Sequence, residues 1–285
     1  MFSISKITPD RNSFLRPLSD IYNSPKEIYF YGKLPEKRQP SVAIVGSRRP
    51  TTYGREMVHK FAYALAQQEI VIISGLALGI DALAHKACLE AGGTTLAVLG
   101  GGLNDITPRS NQPLGREILR NGGAILSEYE PSAPILPHQF LERNRIVSGL
   151  ADAVIVIEAA KRSGTLSTAA HALQQGRDIF AVPGHLTSPM SEGCNNLIKQ
   201  GATLLNDVQQ VLDLFNLSGM SEKSAADIKD PIGRQIIEMI RQGEKSGENI
   251  MKELEVSPAE FNYHLTILEL QGAIKSLGSN QWALS

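Results

Sequence analysis

Three short clusters hold the residue types and spacing that could do chemistry. The first is Gly46-Ser47-Arg48, which closes an apolar run, Val42 to Val45, shortly before a helical pattern begins near Tyr53. A buried strand that ends in a glycine turn and feeds a helix builds an anion site. The helix start offers unpaired backbone N–H groups and the positive end of the helix dipole. Arg48 adds a permanent charge with a forked donor. The second cluster is Lys161-Arg162 directly before Ser163-Gly164-Thr165, two cations and two hydroxyls at another helix start. The third is Arg143-Asn144-Arg145 within ERNRIVSG, where two guanidiniums flank a side-chain amide. Guanidinium and amide donors suit phosphate oxygens. The chemistry expected is phosphate binding, either of a nucleotide or of a nucleic-acid backbone.

Signals for catalysis are thin. Asp81 and His85 stand four residues apart on a helical pattern in GIDALAH. They can serve as a general-base pair or as a hydrogen bond that fixes the helix. No nucleophile or metal ligand accompanies them, which favours the structural role. His59, His138, His171, His185 and His264 are scattered without metal-ligand spacing. Glu128 and Glu158 end apolar runs and can orient the loop arginines. The first turn reads GSRRPTTYG rather than GxGxxG, and no acidic residue follows the second apolar run to hold a ribose. The P-loop pattern and the PGGxGTxxE loop of nucleotide-cleaving relatives of such folds do not occur either. No cofactor and no metal are expected.

The elements that must position these clusters alternate regularly. Apolar runs at 42–46, 70–75, 94–100, 124–129, 153–159, 178–184 and 202–205 are each followed by a helical pattern. Strands covered by helices on both faces read as unbroken apolar runs. Repeated β-α alternation predicts an α/β fold, an extended Rossmann-like doubly wound and mostly parallel sheet. Ligands in such sheets bind at the carboxyl ends of the strands, near the point where strand order reverses. Glycine-rich loops follow five of the runs, so a ligand pressed against backbone amides is expected on that rim.

Four segments are expected. Residues 1–40 form a short N-terminal extension, with IYFYGKL (28–34) as an edge strand. Residues 41–216 form the phosphate-binding domain. Residues 217–230 are polar and aperiodic, a linker. Residues 231–285 predict three helices and a terminal hairpin, a winged helix-turn-helix. In it Ser257, Pro258 and Glu260 spell an N-terminal capping box.

Composition narrows the class. The chain has 285 residues and a formal net charge of −1, which argues against coating nucleic acid by bulk charge. Binding must come from a local basic patch. The two cysteines, Cys88 and Cys194, form neither a disulfide framework nor a metal cluster. No apolar leader is evident, and no run reaches the ~18 residues needed to span a bilayer. A cytoplasmic protein is expected.

Taken together, GSR, SGLALGIDALAH, the LGGGL loop, SEY, RNRIVSGL, RSGTLSTA and AVPG followed by GCNNLIKQGA resemble the DNA-processing protein A (DprA/Smf) family over about residues 40–215. The resemblance implies a non-enzymatic protein that binds single-stranded DNA without sequence preference. It also implies loading of a RecA-type recombinase during natural transformation and recombination, and a homodimer. It places DNA contacts on Gly46, Ser47 and Arg48, on Arg143, Asn144 and Arg145, and on Lys161, Arg162, Ser163, Gly164 and Thr165. Ser167 stands where the family usually has an aliphatic residue, and residues 1–40 are short for the helical N-terminal domain of many members. The physical reading agrees with single-strand binding, because a narrow glycine rim is too tight for a duplex about 20 Å wide. A nucleotide-processing enzyme using the same rim is the alternative.

Overall fold

The computed structural model describes residues 3–217, 230–254, 256–270, 273–278 and 280–284. The expected linker falls largely outside these residues. The chain divides into two compact units, Met1–Phe215 and Asn216–Ser285.

The first unit is an α/β body around one nine-stranded sheet. Its strands are β1 (Ser5–Ile7), β2 (Ile28–Gly32), β3 (Ser41–Val45), β4 (Val71–Ser74), β5 (Thr95–Val98), β6 (Ala124–Ser127), β7 (Ala153–Val156), β8 (Asp178–Ala181) and β9 (Thr203–Leu204). Their spatial order is β1-β2-β6-β5-β4-β3-β7-β8-β9. The strands from β3 to β9 run parallel, while β1 and β2 pair antiparallel at one end. Every residue of β3, β4, β5, β6 and β7 is buried, which is why these strands read as continuous apolar runs. Strand order turns back between β3 and β7, which lie side by side although three strands separate them in sequence.

Seven helices follow the strands: α1 (Thr52–Gln67), α2 (Ile80–Glu90), α3 (Gln112–Arg120), α4 (Gln139–Leu150), α5 (Thr165–Gln174), α6 (Glu192–Lys199) and α7 (Gln209–Leu214). α1 starts where the Thr51 hydroxyl accepts a hydrogen bond from the Gly54 N–H at 3.2 Å.

The first forty residues, read from sequence as an extension, are built into this body. Phe14, Leu15, Leu18 and Ile28 are fully buried in the same apolar cluster as Val147 and Leu150 of α4. β2 is not an edge strand: β1, three residues long and not legible as an apolar run, covers its outer side.

The second unit contains α8 (Pro231–Arg241), α9 (Gly247–Glu253), α10 (Pro258–Leu270) and the antiparallel pair β10 (Ile274–Gly278) and β11 (Gln281–Leu284). Its separate core gathers Ile236, Ile250, Phe261, Leu265 and Ile274. The Asp230 carboxylate caps α8 through the N–H groups of Ile232 and Gly233. The Ser257 hydroxyl accepts from the Glu260 N–H at 3.3 Å, the first half of the capping box.

Candidate nucleic-acid interface

A cavity of about 460 Å³ opens at the carboxyl ends of β3 and β7, at the point where strand order reverses. Five segments wall it: Gly46, Ser47 and Arg48 after β3; Ala77 and Asp81 beyond β4; Phe140, Leu141, Arg143 and Asn144 from the first turns of α4; Arg162, Ser163, Gly164 and Thr165 between β7 and α5; and Met190 beyond β8. Nine of the eleven residues expected from sequence line this one space. Lys161 and Arg145 do not.

Gly46 owes its identity to packing. A Cβ there would meet Cγ1 of Ile80 at 2.7 Å, so the missing side chain admits α2 against the end of β3. The Gly46 carbonyl accepts a hydrogen bond from the Thr165 hydroxyl at 3.0 Å, which joins the two phosphate-type loops. Within the second loop the Ser163 hydroxyl accepts the Thr165 N–H at 3.2 Å. The Gly164 N–H makes no hydrogen bond among the described residues, while the Ser163 N–H closes a turn toward the Ala160 carbonyl. They sit at the start of α5, a ten-residue helix with no side-chain cap. Free donors at the positive end of a helix are the chemistry of an anion site.

The charges sort into two layers. Arg48 and Arg162 are exposed at the rim, and neither forms an ion pair among the described residues. The Arg48 guanidinium lies 5.9 Å from the centre of the Phe140 ring. Arg143 lies below them, with 4% of its surface exposed. Its Nη1 donates to the carbonyl of Gly75 at 2.8 Å and to that of Val98. Asp81, also buried, accepts the Gly75 N–H at 3.1 Å. Both halves of the Gly75 residue are thus held by opposite charges. Burial pushes the Asp81 carboxyl upward, opposed by the charge of Arg143, and burial pulls Arg143 downward, opposed by Asp81. Arg143 is therefore the floor of the cavity rather than an arm reaching from its rim.

Arg145, two residues on, points off another side of α4 and pairs with Glu128 beyond β6. Burial raises the Glu128 carboxyl, and the Arg145 charge opposes the shift. Lys161 turns outward to Glu192 at 3.1 Å. Of the two strand-end glutamates, Glu128 does hold an arginine. Glu158 instead caps the start of α1, accepting the N–H of Thr51 at 2.9 Å and its hydroxyl at 2.5 Å.

The Asp81–His85 pair does not face one substrate. His85 is fully buried, its Nδ1 2.6 Å from the Thr95 hydroxyl, which itself donates to the Ile72 carbonyl. Burial brings the His85 pKa down to about 3, with a smaller push from Arg143. Both residues brace the ends of the parallel strands. No group of three or more His, Cys, Asp or Glu side chains suited to a metal occurs among the described residues.

Phe140 was not among the contacts expected from the sequence. It lies in the first turn of α4, and only the approach of that turn to the loop after β3 brings its ring to the cavity. No periodicity in the sequence distinguishes it from a core aromatic.

The comparison that decides the family covers most of the first unit. The profile of the DNA recombination-mediator protein A family matches residues 5–216. The chain belongs to that family. Protein Smf of Escherichia coli is 46% identical over 189 residues, a match that covers 66% of this chain and 50% of the relative. The chain thus matches about half of that protein's length. The X-ray structure of DNA processing protein A (DprA) from Streptococcus pneumoniae is similar with a TM-score of 0.69 and 41% identity, over 74% of each chain. DNA processing protein A from Helicobacter pylori, whose structure concerns its single-stranded DNA binding mode, is similar with a TM-score of 0.66 and 33% identity. That match covers 75% of this chain and 97% of the other. The match reaches β1 and the rest of residues 5–40 as well as the β3–β9 body. Among the described residues no helix is long and apolar enough to cross a membrane.

Proposed function

We infer that this chain binds single-stranded DNA without sequence preference through the cavity between β3 and β7. One observation carries the reading: two exposed arginines, Arg48 and Arg162, neither in an ion pair among the described residues, share one cavity about 460 Å³ in volume with the free Gly164 N–H at the start of α5. Cations and helix-start amides take phosphates, while Phe140 offers a ring to a neighbouring base. That combination suits a single strand, whose bases are free to stack, better than a duplex. The relative from Helicobacter pylori, described by its single-stranded DNA binding, supports the same ligand.

Asp81 and His85 are spent on internal hydrogen bonds, which supports a binding protein over a nucleotide-processing enzyme. The remaining parts of the reading rest on family membership. They are loading of a RecA-type recombinase onto the bound strand in natural transformation, action as a homodimer, and residence in the cytoplasm. We read the C-terminal unit as a winged helix. α10, in the position of a recognition helix, carries Glu260 and Glu269 and no lysine or arginine. Such a face is poorly suited to phosphate-lined grooves, so this unit serves a protein contact or a structural role.

The test is fluorescence anisotropy with labelled oligothymidine and a matching duplex, across a salt series. Binding should favour the single strand and fall with salt, by a slope near 0.7 per phosphate neutralised. Arg162→Ala should weaken it by about 1.5–3 kcal/mol, the range for a charge-assisted contact. Equal affinity for duplex, or a flat salt response, would overturn the reading.

A further inference from the structure

Asn144 stood among the expected phosphate contacts, yet its amide is committed inside the protein. Arg143 Nε donates to Asn144 Oδ1 at 3.3 Å. Asn144 Nδ2 donates to the Ser167 hydroxyl at 2.7 Å and lies 3.4 Å from the Gly164 carbonyl. The Ser167 hydroxyl donates in turn to the Gly164 carbonyl at 2.8 Å. The direction of this chain is determined at its first link. A guanidinium only donates, so the amide oxygen must face Arg143 and the NH₂ must face Ser167.

We propose that Asn144 and Ser167 form a hydrogen-bond relay that positions the phosphate loop, and that neither touches DNA. The relay runs from the buried floor of the cavity to the carbonyl of Gly164. That carbonyl already accepts the backbone N–H of Ser167 at 3.1 Å. Holding it toward the helix fixes the Gly164–Thr165 peptide, and with it the turn that presents the Gly164 N–H at the cavity wall. An aliphatic side chain at position 167 cannot accept the Asn144 proton or donate to Gly164. The serine is thus the specific link that ties α4 to the loop before α5 in this chain. Ser167 does not line the cavity, and no charge is added or removed along the relay.

The inference rests on the single-strand reading for its consequence in binding, but the relay itself can be read without DNA. The experiment compares Ser167→Thr, which keeps the hydroxyl, with the near-isosteric Ser167→Val, which lacks it. In the free protein, amide hydrogen exchange across residues 162–167 should be faster in Ser167→Val and unchanged in Ser167→Thr, with melting temperatures alike. With oligothymidine, Ser167→Val should bind about three- to tenfold more weakly. Its salt slope should match wild type, because no cation is lost, whereas Arg162→Ala lowers the slope by about 0.7. If Ser167→Val folds poorly, Ser167→Ala removes the hydroxyl without added bulk and carries the same expectations. Equal exchange in the Thr and Val variants overturns the relay. So does equal loss of binding in both, which would mark bulk rather than the hydroxyl. Failure of wild type to bind the oligonucleotide, with the exchange difference intact, overturns the single-strand reading and leaves the relay standing.

Discussion

Replacing Gly75 by alanine should strike the cavity floor without removing any functional side chain. A Cβ built at Gly75 falls 2.5 Å from Nη1 of Arg143, the atom that donates to the carbonyls of Gly75 and Val98. The backbone there is not left-handed, so alanine meets no conformational penalty of its own. By reducing the freedom of the unfolded chain it should even gain about 0.4–1 kcal/mol. Against that gain stands displacement of a guanidinium that is 4% exposed. Two hydrogen bonds from a charged donor are lost, at about 1.5–3 kcal/mol each. A net loss of about 2–5 kcal/mol follows, overlapping the range seen when a buried charge loses its partners. For a unit of this size each kcal/mol moves Tm by about 2–4 °C, so a fall near 10 °C is expected by calorimetry. A second background isolates the guanidinium's part. In Arg143→Met the guanidinium is absent, and adding Gly75→Ala should cost nothing further and regain up to about 1 kcal/mol. An unchanged Tm in Gly75→Ala, or strict additivity with Arg143→Met, would refute the account of why this position is glycine.

Two further outcomes follow from the buried charges. Glu128→Ala leaves the Arg145 guanidinium buried without its carboxylate, and chemical denaturation should register a loss of about 3–5 kcal/mol. Binding of oligothymidine per folded molecule should stay at the wild-type level, since neither residue lines the cavity. His85 should make the first unit sensitive to mild acid. Its folded pKa of about 3 lies below the unfolded value of about 6.5, so between these limits the unfolded chain binds the extra proton. Stability is then complete above about pH 6.5 and declines as pH falls, by up to about 1.4 kcal/mol per unit. His171, also shifted downward by burial, acts in the same sense, while Asp81 and Glu128, shifted upward, act in the opposite one. Melting curves from pH 7 to 5 should therefore flatten in His85→Gln, and an unaltered slope would count against the assignment.

Much of the fold was legible in the chain because its central strands are buried on both faces and alternate regularly with helical patterns. The runs ending at Gly46, Gly75 and Ala159 could be read as strands, and Ser163-Gly164-Thr165 could be read as a helix start, from local residue types alone. β1 could not, because three residues, Ser5 to Ile7, carry no pattern and pair only through long-range contact with β2. The role of Phe14, Leu15 and Leu18 as core was hidden for a related reason: their partners on α4 lie more than a hundred residues away.

The site divides in the same way. Sequence by itself determined which residue types gather at the strand ends: arginines, small hydroxyls, glycines, and a run of alternating elements that obliges them to share a rim. Only the tertiary structure decided what each does there. Arg143 and Arg145 stand two positions apart on one helix, so they leave it in different directions, one into the cavity floor and the other to Glu128. Arg162 and Lys161 are neighbours, yet one faces the cavity and the other Glu192. The direction of a side chain depends on the register and packing of the helix that carries it. Whether a cation is free for phosphate depends on which carboxylate or carbonyl the fold brings beside it. Those partners come from distant strands, and no local pattern records them.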